Sequence, residues 1–320
     1  MSFNRRKFLS LVSLSGLGVG VLHHQAQSQE PIQERLDSRT QIPDSALSHL
    51  RFVAVGDVGT GKRPQFKVAQ AMMAYCKQYP FSLVWLVGDN IYNSGDIHRV
   101  KNVFEKPYND LLQNGVTFHA VLGNHDIRSN EGKDQLRYPG YNMLGRYYTF
   151  GDELAQFFAL DTNPGNHWTA QLEWLEQALS RSQATWKIVL GHHNIYSSGW
   201  HGAFQHLVES WGPLMGHVPS HSMLLKQLPP LFNKYGVQLY INGHEHHYER
   251  TQPIRGTTYL TCGIGGAKLR PCHSSAWTAF ATSQFGFAAL EVFKDKLSIQ
   301  GIGVDGNCFD QGIVRQASEV

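Results

Sequence analysis

Apolar residues along this chain follow two rhythms. Short unbroken runs alternate with stretches in which apolar positions recur every three or four residues. The first pattern predicts strands buried on both faces, the second amphipathic helices. From Arg51 the order is strand, loop, helix, repeated, which predicts an α/β fold. Strands are predicted over Arg51–Val55, Ser82–Val87, Val116–Leu122, Trp186–Leu190 and Val237–Ile241, with shorter β segments over Arg146–Phe150 and Ala155–Leu160. Helices are predicted over Pro64–Tyr79, where Phe66, Ala69, Met72, Met73 and Cys76 form one face, and over Ile97–Leu112, with a break near Pro107. Two more are predicted over Trp168–Leu179 and His221–Tyr235. The stretch 127–145 reads as a long polar loop, and 194–220 is rich in glycine, proline and aromatic residues. Beyond it, Thr257–Cys262, Phe285–Val292 and Lys296–Gly303 read as antiparallel strands.

The polar residues that stop the apolar runs are not random. Five predicted strands end at a glycine beside a residue able to bind metal. They read Gly56-Asp57-Val58-Gly59, Gly88-Asp89-Asn90-Ile91-Tyr92, Gly123-Asn124-His125-Asp126, Gly191-His192-His193 and Gly243-His244-Glu245-His246. Each alone has an ordinary explanation, because Asp and Asn are common turn formers and a histidine can sit satisfied in a core. Five together point to one place, since strand ends of one open sheet converge on one edge. The donors are carboxylates, an amide oxygen and imidazoles, which suit a borderline-hard divalent or trivalent ion. They are too many for one tetrahedral ion. Two ions roughly 3.5–4 Å apart would use them all, and such a pair clamps phosphoryl oxygens and generates hydroxide near neutral pH.

Charge and composition narrow the context. The chain has 320 residues, 42% hydrophobic and 17% charged, an ordinary globular balance. The first 28 residues read as an export leader. Arg5 and Arg6 make a twin-arginine start, an apolar segment runs from Phe8 to Leu22, and Ala26-Gln27-Ser28 fits a cleavage site. The apolar segment is short for a span, which needs about 20 apolar residues, so no stable membrane association is expected after cleavage. Without Arg5, Arg6 and Lys7 the 28 basic residues fall to 25, equal to the 25 acidic ones, which excludes a nucleic-acid-coating surface. Residues 29–49 read as a linker, and 50–320 as one catalytic domain with no internal boundary. Export permits a disulfide, and Cys262 and Cys272 could close a loop; Cys76, on a helix face, reads as buried and free.

The five blocks, with Val189-x-x-His192 as the fourth, resemble those of the metallophosphoesterases, and Tyr92 in the second block resembles the purple acid phosphatases of the small, tartrate-resistant type. The resemblance implies a four-layer α-β-β-α sandwich of two mixed sheets. It implies that Asp89 bridges two metal ions. Asp57, Tyr92 and His246 would complete a ferric site; Asn124, His192 and His244 would complete a second site holding Fe, Zn or Mn. His125 would contact phosphate and protonate the leaving alcohol, and His201 and Asn124 would contact substrate. His193 has no clear place in that set. Asp161 would support the site without binding metal, and Glu245 would point away from it. His247 offers a second ligand register, but the His-x-His spacing favours His246. The implied activity is phosphomonoester hydrolysis of small molecules by a periplasmic or secreted monomer, using a metal-bound hydroxide. A phosphodiesterase or nucleotide pyrophosphatase on the same centre is the alternative, as is an inactive metal- or phosphate-binding protein.

Overall fold

The strands Leu83–Val87, apolar throughout, and Leu239–Asn242 lose every side chain from solvent. That requires cover on both faces, and the topology supplies it. The computed structural model describes residues 49–165, 168–201 and 220–316. The leader expected over 1–28 lies outside them, as do the linker up to residue 48 and much of the loop-rich stretch.

Among the described residues, thirteen strands form two mixed sheets. The first has the order β13-β12-β11-β1-β2-β3. Here β1 is His49–Val55, β2 Leu83–Val87, β3 Thr117–Val121, β11 Gly286–Phe293, β12 Lys296–Gly303 and β13 Cys308–Arg315. Strands β1, β2 and β3 are parallel, and β11 runs against β1. The second sheet has the order β10-β8-β9-β7-β6-β5-β4. Its members are β4 Tyr148–Gly151, β5 Ala155–Ala159, β6 Trp186–Leu190, β7 Leu239–Asn242, β8 Tyr248–Thr251, β9 Thr258–Cys262 and β10 Thr278–Thr282. Its centre, β5, β6, β7 and β9, is parallel.

The sheets pack face to face through large rings. Phe157 meets Phe52 edge-on at 5.1 Å and Trp85 at 5.2 Å between ring centroids. Its neighbour Phe158 points the other way, because successive strand residues alternate faces. Phe158, Val189 and Tyr240 pack with Leu175 and Leu179 of helix α4 (Trp168–Arg181) and with Leu224, Leu228 and Phe232 of helix α5 (Ser220–Tyr235). Helix α1 (Arg63–Gln78) lays Val68, Met72 and Cys76 on the first sheet. Helix, sheet, sheet and helix thus make the four layers that the resemblance implied.

Several expectations need correction. Thr257–Cys262 was expected to pair only antiparallel; β9 pairs parallel with β7 and antiparallel with β8. The expected helix over 97–112 is three pieces, Ile97–Arg99, Lys101–Glu105 and α2 (Asn109–Gln113), with Pro107 unable to donate between the last two. The expected loop over 127–145 contains short helical turns, including α3 (Lys133–Arg137) and Pro139–Tyr141. Its polar composition concealed two anchors, the buried side chains of Gln135 and Tyr141, the latter 4.9 Å from Phe104. Cys262 and Cys272 are both free thiols, as is the buried Cys76. Cys262 sits in the core with Sγ 3.6 Å from the Asn242 carbonyl, and burial pushes its thiol up.

One core residue makes the fold acid-sensitive. His119 of β3 is buried between the rings of Trp85 (5.1 Å) and Phe150 (4.1 Å). Burial drives its imidazole from 6.5 down to about 4. Between those values the unfolded chain takes up a proton that the folded one refuses. The stability present above 6.5 is therefore lost as pH falls towards 4, by about 3 kcal/mol. His119→Phe is expected to flatten this part of the pH profile of the urea midpoint. Equal acid losses in the variant and wild type would assign the effect elsewhere.

Candidate metal centre

Parallel strands of one sheet end on the same side, and here both sheets do so together. The first sheet delivers Asp57 after β1, Asp89 after β2 and Asn124 and His125 after β3; the second delivers His192 after β6 and His244 after β7. The sequence pattern suggested one open sheet; the donors come from two sheets that meet at one edge. The turns are tight enough to force unusual backbone. Asp57, Asp89 and His244 all adopt left-handed φ values, 58°, 53° and 68°. Gly88, at φ 88°, also has no room for a side chain, since a Cβ there would lie 2.4 Å from His192 Nδ1. Such strain is uncommon in non-glycine residues and clusters at functional sites.

The side chains form two touching groups. In one, the Tyr92 hydroxyl donates to Asp57 Oδ1 at 2.8 Å and lies 3.1 Å from His246 Nε2. His246 Nε2 is 3.2 Å from the same carboxylate oxygen. In the other, Asn124 Oδ1 lies 3.1 Å from both His192 Nε2 and His244 Nδ1, and His192 Nε2 is 3.4 Å from Asp89 Oδ1. Asp57, Asp89 and His192 are buried, and one donor atom from each falls within 4.8 Å of the others. The charge of Asp89 acts on Tyr92 in the first group and on His192 in the second.

These residues fit a cation. His192 Nδ1 is committed to the Val87 carbonyl at 2.9 Å, and His246 Nδ1 to the Lys268 carbonyl at 2.8 Å. Each neutral ring therefore turns the lone pair of Nε2 into the site, the arrangement that orients metal-binding imidazoles. Asn124 Oδ1 adds another acceptor facing the same space. Lone pairs and buried carboxylates that confront one another need a positive charge between them.

The electrostatics agree. Burial works against the charge of Asp57, but His246, His192 and the Tyr92 hydroxyl hold its carboxyl at about 2. Burial lowers the His192 imidazole, and the facing Asp89 and Asp57 charges more than offset it, so its pKa rises. His246 rises too: burial lowers it, and its contact with Asp57 prevails. His244 is held well below the usual range by burial and by the surrounding imidazoles. Burial, then the Asp57 and Asp89 charges, push the Tyr92 phenol up while no cation faces it. A bound trivalent ion would reverse that sign, because its charge dominates the local field.

The two histidines proposed to meet substrate contact different rings of the site. His125 packs at a tilt against Tyr92, 4.5 Å between ring centroids, with Nε2 3.9 Å from Asp89 Oδ2. His201 stacks on His244 at 4.1 Å. Glu245 was expected to point away from the His244–His246 pair and to be structural. Its buried carboxylate accepts from the His201 backbone N–H at 2.5 Å and lies 3.4 Å from His201 Nδ1. His247 is buried with Nε2 3.4 Å from Glu249, which leaves His246 as the ring beside Asp57. His193 packs against His244 at 4.5 Å and contacts Thr162 Oγ1 at 2.9 Å. Asp161 pairs with Arg146 at 2.8 Å and with Asn163, outside the donor cluster.

Four supporting residues escaped the sequence reading. The buried Asp126 carboxylate accepts from the backbone N–H groups of Asn90 and Ile91 at 3.0 Å and of Gly123 at 2.8 Å. It thereby ties the turn carrying Asp89 to the turn carrying His125. Its place beside two site residues was the available signal. Thr162 Oγ1 accepts from the backbone N–H groups of His192 and His193 at 3.1 and 3.0 Å. Arg128, at the end of the helical turn Asp126–Arg128, reaches His125, and Arg270 reaches His201 from a loop.

Known proteins resemble this chain in sequence and in fold. The chain is 26% identical to purple acid phosphatase 7 of Arabidopsis thaliana over 97% of its length and 95% of the relative's. It is 29% identical to human tartrate-resistant acid phosphatase type 5, covering 70% of this chain and 75% of that one. Among solved structures, a purple acid phosphatase from yellow lupin seeds superposes with a TM-score of 0.69 at 20% identity, covering 84% of this chain and 54% of that one; at that identity the likeness is one of fold. The sequence profile of calcineurin-like phosphoesterases matches residues 50–248, more than half the chain and all five strand-end blocks. By that match, the chain belongs to the calcineurin-like phosphoesterase family.

Proposed function

We propose that this protein is an exported acid phosphatase of the purple type, acting on small-molecule phosphate monoesters as a monomer. The observation that carries the reading is the Tyr92 hydroxyl within 3.1 Å of both Asp57 and His246, beside the buried Asp57–Asp89–His192 cluster. In this reading Asp89 lies between two metal positions. Asp57, Tyr92 and His246 would hold a ferric ion, and Asn124, His192 and His244 would hold Fe, Zn or Mn. A metal pair there would polarise the phosphoryl oxygens and lower the pKa of an attacking water. The chain's own residues do the rest. His201, backed by Glu245, binds a phosphate oxygen. His125 holds a proton at Nε2 for the departing alcohol, with its ring fixed by Nδ1 on the Asn93 carbonyl at 2.6 Å. Residues 1–28 would direct twin-arginine export to the periplasm or medium, leaving 29–49 as a linker and 50–320 as the catalytic domain. Among the described residues no helix is long and apolar enough to cross a membrane.

The test is metal analysis of freshly purified protein, with turnover of para-nitrophenyl phosphate set against its bis ester. Iron with faster monoester turnover supports the reading. Faster diester turnover would make the protein a phosphodiesterase, and phosphate binding without turnover at any pH would make it a binding protein. Colour gives a second check. A ferric phenolate absorbs visible light and a zinc phenolate does not, so the oxidised protein is expected to be purple or pink. Tyr92→Phe should lose the band while keeping part of the activity, because Tyr92 tunes the ion and does not attack phosphorus. An iron-containing wild type without a visible band removes Tyr92 from the ligand set.

A further inference from the structure

Two guanidinium groups reach the metal pocket without a carboxylate partner. Arg51, Arg146 and Arg250 pair with Glu291, Asp161 and Asp310. Among the described residues, Arg128 and Arg270 make no ion pair, and each lies against a histidine of the pocket. Arg128 Nη2 is 3.3 Å from His125 Nε2, and Arg270 Nη1 is 3.1 Å from His201 Nε2.

Arg128 is the more firmly placed. The Asn93 carbonyl accepts from His125 Nδ1 at 2.6 Å and from Arg128 Nη1 at 3.1 Å. One backbone oxygen therefore holds the imidazole and the guanidinium side by side. With Nδ1 committed there, His125 Nε2 faces Arg128 Nη2: the neutral ring presents a lone pair to the guanidinium, and the protonated ring presents an N–H to the leaving oxygen. An exposed arginine held through both terminal nitrogens has given up rotamer freedom that a free surface side chain would keep. The result is a permanent positive charge beside the atom assigned to the leaving oxygen.

We propose that Arg128 is a specificity-determining residue that binds an anionic leaving group, favouring phosphoanhydrides over esters of neutral alcohols; the inference rests on the phosphatase reading above. In both reactions water forms the new P–O bond and gives up one proton to solvent. The old P–O bond breaks with its electron pair on the leaving oxygen. An alkoxide needs a proton there, which His125 supplies and regains from solvent. A phosphoryl leaving group departs as an oxyanion, and a fixed cation stabilises it without proton transfer. A guanidinium stays charged at all working pH values, and its fork matches phosphoryl oxygens.

The experiment compares pyrophosphate with glycerol 3-phosphate on wild type, Arg128→Gln and Arg128→Lys at equal metal content. Loss of one charge-assisted contact should lower kcat/KM for pyrophosphate by roughly 10–100-fold in Arg128→Gln. Glycerol 3-phosphate should lose at most about threefold, because its leaving group carries no charge for that contact, and Lys should recover part of the pyrophosphate loss. Equal losses on both compounds, or none on pyrophosphate, overturn the assignment. If wild type turns over neither compound, the phosphatase reading fails separately, and calorimetry then decides the role of Arg128. Weaker pyrophosphate binding in Arg128→Gln, with orthophosphate binding little changed, supports it; parallel changes overturn it.

Discussion

Asp89→Ala is expected to leave the protein with no retained metal and no measurable phosphatase activity. In the proposed centre this carboxylate faces both donor groups, so its loss weakens both sites together. It would also leave two cations roughly 3.5–4 Å apart without the negative charge between them. A further effect comes from the backbone. Asp89 Oδ1 accepts from the His125 N–H at 2.9 Å, so the variant also loosens the turn that carries the proposed proton donor. Asp89→Asn separates these effects, because the amide oxygen can keep the His125 contact without the charge. Elemental analysis should find both variants depleted, with Ala the less active on any metal added back. An Asp89→Ala protein that retains two metals per chain would show that Asp89 does not bridge.

His125→Ala should behave differently: metal content unchanged, with kcat lower by roughly 10²–10⁴-fold, the usual contribution of a general acid. The ring lies beside the donor cluster without joining either group, and Nε2 stays 3.9 Å from Asp89. The loss should therefore follow the leaving group. Alkyl phosphates, whose alkoxides need a proton, should suffer most. Nitrophenyl phosphate, whose phenolate departs without help, should suffer least. Equal losses on both substrates would remove His125 from the acid role and leave it a phosphate contact. Substituting Arg128 should give the opposite selectivity, greatest for charged leaving groups, so the two neighbours can be told apart by substrate alone.

Much of the fold was legible in the chain because its signals are local. The run Leu83–Val87 is apolar at every position, and every position is buried. The three- and four-residue steps of α1 and α4 lie on the faces that pack. What was missed has no such signal. Strand β8 is polar as well as apolar, and its Glu249 is buried only because Ser198 and Thr278, from distant segments, satisfy the carboxylate. Strand β10 has every residue half-buried, so no alternation marks it. The helical turns between β3 and β4 are three to five residues long, too short to show a period.

The site divides in the same way. A glycine beside a carboxylate, amide or imidazole at a strand end is contained in a few consecutive residues, so the sequence by itself determined eight side chains to examine: Asp57, Asp89, Tyr92, Asn124, His125, His192, His244 and His246; His201 was added by the family resemblance. Only the tertiary structure decided that the donors arrive from two sheets, that Glu245 turns towards His201, and that Asp126 ties two turns together. It alone placed Arg128 against His125, by way of a carbonyl at residue 93. Each of these depends on hydrogen bonds between loops that are remote in sequence or turned by neighbouring strands. Such bonds form only when packing has fixed both loops, so the partner's identity leaves no trace in the residues around either end.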